Sequence, residues 1–286
     1  MSRHTLSPYT RLGYVHLSVS DIERSLAFYQ HSLGLQVHRR KDNGAALGAG
    51  QDDLLVLTEQ PGAVKPRRHT GLYHFAILVP SRKELARSIK NIIDTKTSIT
   101  GGADHLVSEA LYLDDPDGNG IEIYRDRPRA TWEEENGQVK MAVNPLDYQG
   151  ILAEIESDNG EWSGLHIDTV LGHMHLHVAH LAESTTFYEK VIGFDLMATM
   201  MGTAAFLSAG GYHHHLGINT WQGEGAPAPP SNAVGLRYFT INLADLEDRA
   251  ALIGRLKEAG VLQREHEEGV FIQDPSGNGI VLIDNG

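Results

Sequence analysis

The chain contains one segment twice. The stretch VLGHMHLHVAHLAESTTFYEKVIGF at residues 170–194 repeats RLGYVHLSVSDIERSLAFYQHSLGL at residues 11–35. The same offset of 159 residues recurs at distant landmarks, which are Ser25 and Ser184, Asp115 and Asp274, and Pro116 and Pro275. A constant offset over such distances indicates a duplicated domain. We therefore predict an N-terminal domain at residues 10–130, a linker at 131–167 with one short helix in LDYQGILAEI, and a C-terminal domain at 168–286.

Each half is itself double. The stretches GLYHFAILVPSRKELARSI (71–89) and GLRYFTINLADLEDRAALI (235–253) again have an alternating strand pattern followed by a helix pattern. Three short strands follow each helix, and Pro/Gly-rich turns such as DDPDGNG and QDPSGNG connect them. The sequence thus predicts an α+β fold of four βαβββ modules that form two curled antiparallel sheets.

The helix of the first module has recognisable ends. Asp21 or Ser20 can cap its N-terminus, and Gly34 can end it in a left-handed conformation. Its apolar face has helical spacing and consists of Ile22, Leu26, Tyr29 and Leu33.

Composition excludes several classes of function. The net charge of −13 and the lack of a basic patch argue against a nucleic-acid partner. No apolar run reaches about 18 residues, so we expect no membrane span. The absence of cysteine excludes disulfides and thiolate metal sites, and it fits a reducing, cytoplasmic location. We also expect a homo-oligomer. Histidine is frequent, with 16 residues, and it is the commonest metal ligand.

Four stretches resemble the vicinal-oxygen-chelate superfamily, which includes glyoxalase I, bleomycin-resistance proteins and type I extradiol dioxygenases. They are SDIERSLAFYQHSLGL, DPDGNGIEIY, STTFYEKVIGF and DPSGNGIVLI. The resemblance implies that paired modules form a cup around a divalent metal. It places one ligand position on the first strand and one on the last strand of each module. Because one fold hosts many chemistries, the residues at these positions decide the function.

The implied ligand positions differ among the modules. The first-strand positions are Tyr14, His74, His173 and Tyr238 in chain order. The last-strand position is Glu122 in module two and Val281 in module four, and it falls near Val56 in module one and Gly217 in module three. Ligand-type residues therefore occur only in modules two and three. We predict that these two modules form one cup with the metal ligands His74, Glu122 and His173, and that the other cup is structural.

Two histidines and one carboxylate form the facial triad of non-haem Fe(II) oxygenases. The expected cofactor is Fe(II), with Mn(II) as the alternative. The resemblance to extradiol dioxygenases extends to HHHLG (213–217), where it implies that His214 carries a substrate proton. It also implies that the Tyr112 hydroxyl forms a hydrogen bond to a bound substrate oxygen. The expected function is opening of catechol or a substituted catechol with O2 by a catechol 2,3-dioxygenase-type enzyme.

The same residues also allow other functions and other roles for the histidines. A glyoxalase-like lyase or isomerase with Ni2+ or Zn2+ typically uses two Glu ligands, and a non-enzymatic ligand-binding resistance protein typically has no metal ligands. His74 alone could be a strand histidine bonded to the backbone, and residues 213–215 could be a polar hairpin edge. His175 and His177 alternate along the strand of His173, and we interpret them as surface residues or neighbours of the ligands.

Overall fold

The computed structural model describes residues 5–135, 138–158 and 160–284. Within these ranges, the two modules of each half have the predicted order of strand, helix and three strands. The N-terminal half contains β1 (Arg11–Val19), α1 (Ile22–His31), β2 (Gln36–Lys41), β3 (Gly44–Gly48), β4 (Asp53–Glu59), β5 (Gly71–Leu78), α2 (Arg82–Asp94), β6 (Ile99–Asp104), β7 (Ser108–Asp114) and β8 (Gly120–Asp126).

The linker contributes short elements, and the C-terminal half repeats the order of the first. A 3-10 turn at Arg129–Thr131 precedes β9 (Glu134–Glu135), β10 (Gln138–Val139), β11 (Asn144–Pro145) and α3 (Tyr148–Ala153). The C-terminal half contains β12 (Val170–His177), α4 (Leu181–Thr186) with a π-helical continuation at Phe187–Ile192, β13 (Asp195–Met200), β14 (Ala204–Ser208), β15 (Leu216–Asn219), β16 (Gly235–Leu243), α5 (Leu246–Glu258), β17 (Arg264–His266), β18 (Gly269–Gln273) and β19 (Gly279–Asp284). Within the described ranges, no helix is long and apolar enough to cross a membrane.

Each of the two large sheets joins one module from either half. Modules two and three form a nine-stranded sheet in the order β11-β6-β7-β8-β5-β12-β15-β14-β13. Modules four and one form an eight-stranded sheet in the order β17-β18-β19-β16-β1-β4-β3-β2. The junctions between modules are the antiparallel pairs β5–β12 and β1–β16. The predicted pairing of module two with module three is confirmed.

The sheets are mixed rather than antiparallel throughout. In every module the first strand is parallel to the last, in the pairs β1–β4, β5–β8, β12–β15 and β16–β19. In each module the helix brings the chain back to the end of the sheet at which the first strand began. The next three strands are joined by two hairpins, so the last strand runs in the same direction as the first. The predicted antiparallel arrangement therefore holds for the hairpins and the module junctions.

The first helix begins and buries the residues that its sequence indicates. Asp21 is the N-cap, and its side chain accepts a hydrogen bond from the Arg24 amide. Ile22, Leu26 and Tyr29 are buried on its inner face. Leu33 is also buried, but it lies beyond the end of the helix at His31. Gly34 has φ of +79°, the left-handed conformation that a helix end favours for glycine.

The linker packs against module two. Its helix α3 confirms the helix predicted in LDYQGILAEI. Arg82 of α2 donates a hydrogen bond from Nη1 to the Gly150 carbonyl at 2.8 Å. Arg87 donates from Nε to Asp158 at 2.9 Å. Because β11 pairs with β6, the linker also extends the edge of the nine-stranded sheet.

Candidate metal centre and active site

Three ligand-type side chains converge on one face of the nine-stranded sheet. Glu122 lies on β8, His74 on β5 and His173 on β12, and these strands are neighbours. Ala76 is the register partner of both Glu122 and His173. His74 precedes Ala76 by two residues and therefore faces the same side. Because Ala76 has only a methyl group, the longer side chains on both sides can meet above it.

The three ligand atoms form a small triangle. Glu122 Oε2 lies 3.1 Å from His74 Nε2 and 3.1 Å from His173 Nε2, and the two nitrogens are 3.4 Å apart. Adjacent ligands of a six-coordinate ion with bonds of about 2.1 Å are about 3.0 Å apart, so a divalent cation fits this set. Within the described ranges, no other set of three His, Asp or Glu residues brings its ligand atoms within 4.8 Å of one another.

Burial and mutual contact set the charges of this trio. Burial alone would raise the pKa of Glu122, but the adjacent His173 and His74 rings hold it well below its ordinary value. Burial lowers the pKa of His173 to about 4, against the opposing effect of Glu122. At neutral pH the site therefore combines an ionised carboxylate with a neutral His173 imidazole, the protonation states that metal binding requires.

His214 lies beside the trio, just before β15. Its ring centroid is 4.1 Å from that of His173. Its Nδ1 lies 2.8 Å from His213 Nδ1, and His213 Nε2 lies 2.9 Å from Asp126 Oδ1. Burial, followed by the nearby His173 and His213 rings, lowers the pKa of His214 well below its ordinary value. The ring is therefore neutral at neutral pH, and one of its two nitrogens carries a lone pair.

Tyr112 lies on β7, in register opposite Glu122 on β8. Its hydroxyl is 2.7 Å from His105 Nε2, and His105 Nδ1 is 2.7 Å from the Ala142 carbonyl oxygen of the linker. Burial, followed by the negative charge of Glu122, raises the pKa of Tyr112 well above its ordinary value. The hydroxyl thus keeps its proton at neutral pH.

The predicted site residues share one cavity of about 230 Å³, which is lined by all five of them: His74, Tyr112, Glu122, His173 and His214. Its remaining walls are mostly apolar and include Val107, Met141, Ala142, Val143, Met200 and Phe206. A larger cleft of about 970 Å³ adjoins it and shares Tyr73 and Trp221 with it. The linker residues 141–143 thus form part of the wall over the candidate metal centre.

His175 and His177 are buried, so the alternative that they are surface residues is wrong. The other alternative holds for His175, whose ring centroid lies 5.0 Å from that of His74 and which lines the same cavity. A Cβ at Gly217 would lie 2.9 Å from His175 Cγ, so the His175 ring occupies the space beside that glycine. Gly217 has no side chain that could bind a metal, and the His175 ring fills the space that a side chain at this last-strand position would occupy. His177 Nδ1 instead pairs with Asn219 Oδ1 at 2.7 Å.

The equivalent positions of the eight-stranded sheet hold a different set. The hydroxyls of Tyr14 and Tyr238 lie 3.3 Å apart, and Tyr14 also donates a hydrogen bond to Glu268. Val281 is fully buried, and His16 Nε2 pairs with Thr58 Oγ1 at 2.8 Å. These contacts fit a structural role for the second cup.

Sequence reasoning missed three features of the site, which are His105, the Asp126–His213 pair and the linker wall. Asp126 had a usable signal, because it follows Glu122 by four residues on one strand and must face the same side. His105 had none, since it reaches Tyr112 across a hairpin in which Leu106 has φ of +69°. The linker lies outside the repeat and has no counterpart to compare.

Comparison with known proteins identifies the family of this chain. The glyoxalase/bleomycin resistance protein/dioxygenase superfamily model matches residues 11–123 and 170–282. A catechol-2,3-dioxygenase of Bacillus subtilis (strain 168) is 46% identical over 271 residues, which cover 93% of this chain and 94% of that protein.

Solved structures share the fold. A Bacillus subtilis subsp. subtilis str. 168 protein aligns with a TM-score of 0.65 at 14% identity, covering 99% of this chain and 86% of that one. Glyoxalase I from Zea mays aligns with a TM-score of 0.60 at 20% identity, covering 96% and 92%. Since the family model matches both halves and the relative matches nearly the whole length, the chain belongs to the glyoxalase/bleomycin resistance protein/dioxygenase superfamily.

Proposed function

We propose that this protein is an extradiol dioxygenase of the catechol 2,3-dioxygenase type. In the proposed reaction, the ring carbon–carbon bond next to the two hydroxyls of a catechol breaks. Both atoms of O2 enter the product, a hydroxymuconic semialdehyde. The opened ring supplies all the electrons that O2 takes up, so no external reductant is needed. The predicted homo-oligomeric state and cytoplasmic location stay predictions.

One observation carries the proposal. Two histidines and one carboxylate, arranged as a metal-binding triad, line the same cavity as a neutral histidine and a tyrosine hydroxyl. The 46% identity to a catechol-2,3-dioxygenase over most of the chain supports it. His74, Glu122 and His173 would hold Fe(II), with Mn(II) as the alternative, and the bound ion would supply open positions for two vicinal oxygens and for O2.

Tyr112 would orient the substrate. The Ala142 carbonyl can only accept a hydrogen bond, so the proton of His105 lies on Nδ1 and its Nε2 accepts from the Tyr112 hydroxyl. The lone pairs of the Tyr112 oxygen are then left for a substrate hydroxyl. His105 thereby fixes the direction of the hydrogen bond that Tyr112 makes in the cavity.

His214 would move the substrate proton. As a neutral ring at neutral pH, it can take a proton from one catechol hydroxyl and return it to an oxygen of the product. The apolar walls exclude water around these groups, which strengthens the interaction between an ionised catechol oxygen and a cation.

A glyoxalase-like reaction is the competing proposal, because the fold is shared with glyoxalase I. Such enzymes typically use a second Glu ligand. In this chain Gly217 stands at the corresponding position and the His175 ring fills its space. A non-enzymatic binding protein would have no need for the buried trio.

The test combines metal content with oxygen uptake. The protein is reconstituted with Fe(II) without air, and catechol or the methylglyoxal–glutathione adduct is then added in air. We expect oxygen consumption and a yellow product with catechol. Isomerisation of the adduct without oxygen uptake on any catechol would support the glyoxalase reaction instead.

The metal ligands have matched controls in the second cup. We expect His74→Ala, Glu122→Ala and His173→Ala to lose iron and remain folded. Tyr14→Phe and Tyr238→Phe change the equivalent strand positions and should keep iron. Loss of iron in these controls, with iron kept in the histidine variants, would refute the assignment of ligands.

A further inference from the structure

We propose that Asp126 and His213 are positioning residues that fix the tautomer of His214. They hold its proton on Nδ1 and leave Nε2 bare toward the cavity. The inference rests on the proposed function in assigning His214 to proton transfer. The tautomer itself can be measured without turnover.

The three residues form one hydrogen-bonded chain. Asp126 Oδ1 lies 2.9 Å from His213 Nε2, and His213 Nδ1 lies 2.8 Å from His214 Nδ1. His213 is fully buried, while Asp126 at the end of β8 is partly exposed. The hydrogen-bonded chain thus runs from the end of the interior strand β8 to the metal cavity.

The carboxylate sets the direction of both bonds. A carboxylate only accepts, so His213 donates from Nε2, and the form of the ring with one N–H then has a lone pair on Nδ1. The contact to His214 Nδ1 then requires that His214 donates from Nδ1. Because a neutral imidazole has one N–H, His214 Nε2 is left as an acceptor. This is the form needed to take a proton from a substrate hydroxyl.

Packing keeps His213 in this orientation. The Tyr212 ring lies 4.1 Å from its centroid and the Trp132 ring 5.3 Å from it. Trp132 belongs to the linker, and its indole N–H donates to the Arg127 carbonyl at 3.0 Å. His213 is therefore held between an aromatic neighbour and the linker, and it cannot rotate freely to exchange its two nitrogens.

Asp126→Asn should permit the wrong tautomer. The amide can donate to His213 Nε2, after which His213 donates from Nδ1 and His214 carries its proton on Nε2. In serine proteases, replacing the aspartate that orients the catalytic histidine acts in this way and costs up to about 10⁴-fold in kcat. Here the effect passes through one more ring, so we expect kcat to fall by about 10- to 1000-fold.

The direct test is nitrogen-15 NMR of the histidine rings in Zn(II)-loaded full-length protein. The signals of His214 are assigned by their loss in His214→Phe. We expect the protonated nitrogen of His214 to be Nδ1 in the native chain and Nε2, or a mixture, in Asp126→Asn. A proton on Nε2 in the native chain, or an unchanged tautomer in the variant, would overturn the inference.

Kinetics with Fe(II) and catechol separate positioning from a structural role. Asp126→Asn should lower kcat, change KM by less than about threefold and keep one iron per chain, because Asp126 contacts neither ligand nor substrate. His213→Phe should have a similar effect, and the double variant should add little, as for residues that act as a unit. Losses that add fully would contradict a shared role.

The matched control is Asp53→Asn, which alters another Asp–His pair. Asp53 Oδ1 lies 2.9 Å from His38 Nδ1 on the eight-stranded sheet, so this variant should leave kcat unchanged. An equal fall in both aspartate variants would refute a specific role for Asp126. If no catechol is opened by any form, the proposed function fails, and the NMR result still decides the tautomer.

Discussion

His214 and His215 are adjacent residues with opposite surroundings. His214 lines the metal cavity, whereas His215 Nδ1 pairs with the Ser208 hydroxyl at 2.9 Å. We expect His214→Phe to keep iron and to lower kcat by about 10²–10⁴-fold, the usual effect of losing a proton carrier. His215→Phe should alter stability more than turnover. If His215→Phe lowered kcat and His214→Phe did not, His215 rather than His214 would be the ring that faces the substrate.

The charge of the cavity also depends on single residues. Among the described residues that line it, none is Lys or Arg. Two arginines of module two are held instead by Glu109 on the opposite face of β7, with Arg125 Nε at 2.7 Å and Arg82 Nε at 3.0 Å from its carboxylate. A carboxylate on the substrate ring would therefore be buried beside Glu122 without a cation of its own.

The lack of a cationic side chain in the cavity wall predicts that catechols carrying a carboxylate are poor substrates. Burying an unpaired charge costs several kcal/mol, and even about 3 kcal/mol corresponds to about 100-fold. We expect kcat/KM for 3,4-dihydroxybenzoate to be lower by at least that factor than for 3,4-dihydroxybenzamide, which has the same shape and no charge. Met200→Lys would add a cation to the cavity wall and should bring the kcat/KM values of the acid and the amide closer together. Met200→Gln adds no charge and should leave their difference unchanged. Equal turnover of acid and amide would contradict the prediction.

At the scale of elements, two buried hydrogen bonds join a helix of one sheet to a turn of the other. The Tyr29 hydroxyl of α1 donates to Asp115 at 2.8 Å, in the turn before β8. Its repeat partner Tyr188 donates to Asp274 at 2.9 Å, in the turn before β19. Each bond links the two modules of one chain half, which lie in different sheets.

Removal of either hydroxyl should loosen this attachment. We expect Tyr29→Phe and Tyr188→Phe each to lower the free energy of unfolding by about 1.5–3 kcal/mol, because each leaves a buried carboxylate with one donor fewer. Tyr9→Phe, at a position 72% exposed, should change it by less than about 0.5 kcal/mol. Denaturant unfolding measures all three, and equal effects at Tyr9 and Tyr29 would refute the argument.

The repeat made the elements and most of the site predictable. A strand and a turn at Asp115 depend on local residue patterns, which the offset of 159 residues displays twice. The helix cap at Asp21 occurs once, because its counterpart His180 makes no side-chain cap hydrogen bond. The pairing of modules two and three followed from a different kind of evidence, the absence of ligand-type residues at Tyr14 and Val281. Parallel pairing inside each module did not follow, because a strand pattern carries no direction.

The remaining features depended on side-chain contacts that local residue patterns do not encode. His105 contacts Tyr112 of its own module and the Ala142 carbonyl of the linker. Asp126 contacts His213 of another module, and His175 packs beside Gly217 within module three. The linker adds residues 141–143 and Trp132 to the site. No periodicity could place it, since it packs through the individual contacts of Arg82 and Arg87 with its backbone and side chains.

For the whole molecule, the exchange of modules between sheets makes each half depend on the other. The N-terminal half supplies His74 and Glu122, and the C-terminal half supplies His173 and His214. If either half stood alone, β5 would lack β12 and β1 would lack β16, which leaves two central strands as open edges.

The chain can be divided within the linker, after Asp158, since α3 and Asp158 pack on module two. We expect fragments 1–158 and 159–286 to aggregate or to bind iron weakly when each is expressed alone, because neither contains the full ligand trio. Co-expressed fragments should associate through β5–β12 and β1–β16, bind one iron per pair and consume oxygen with catechol. Metal analysis and oxygen uptake of the co-purified pair measure this. Fragment 1–158 holding one tight iron without its partner would mean that His173 is not a ligand, and that the exchange of modules between sheets does not build the metal centre.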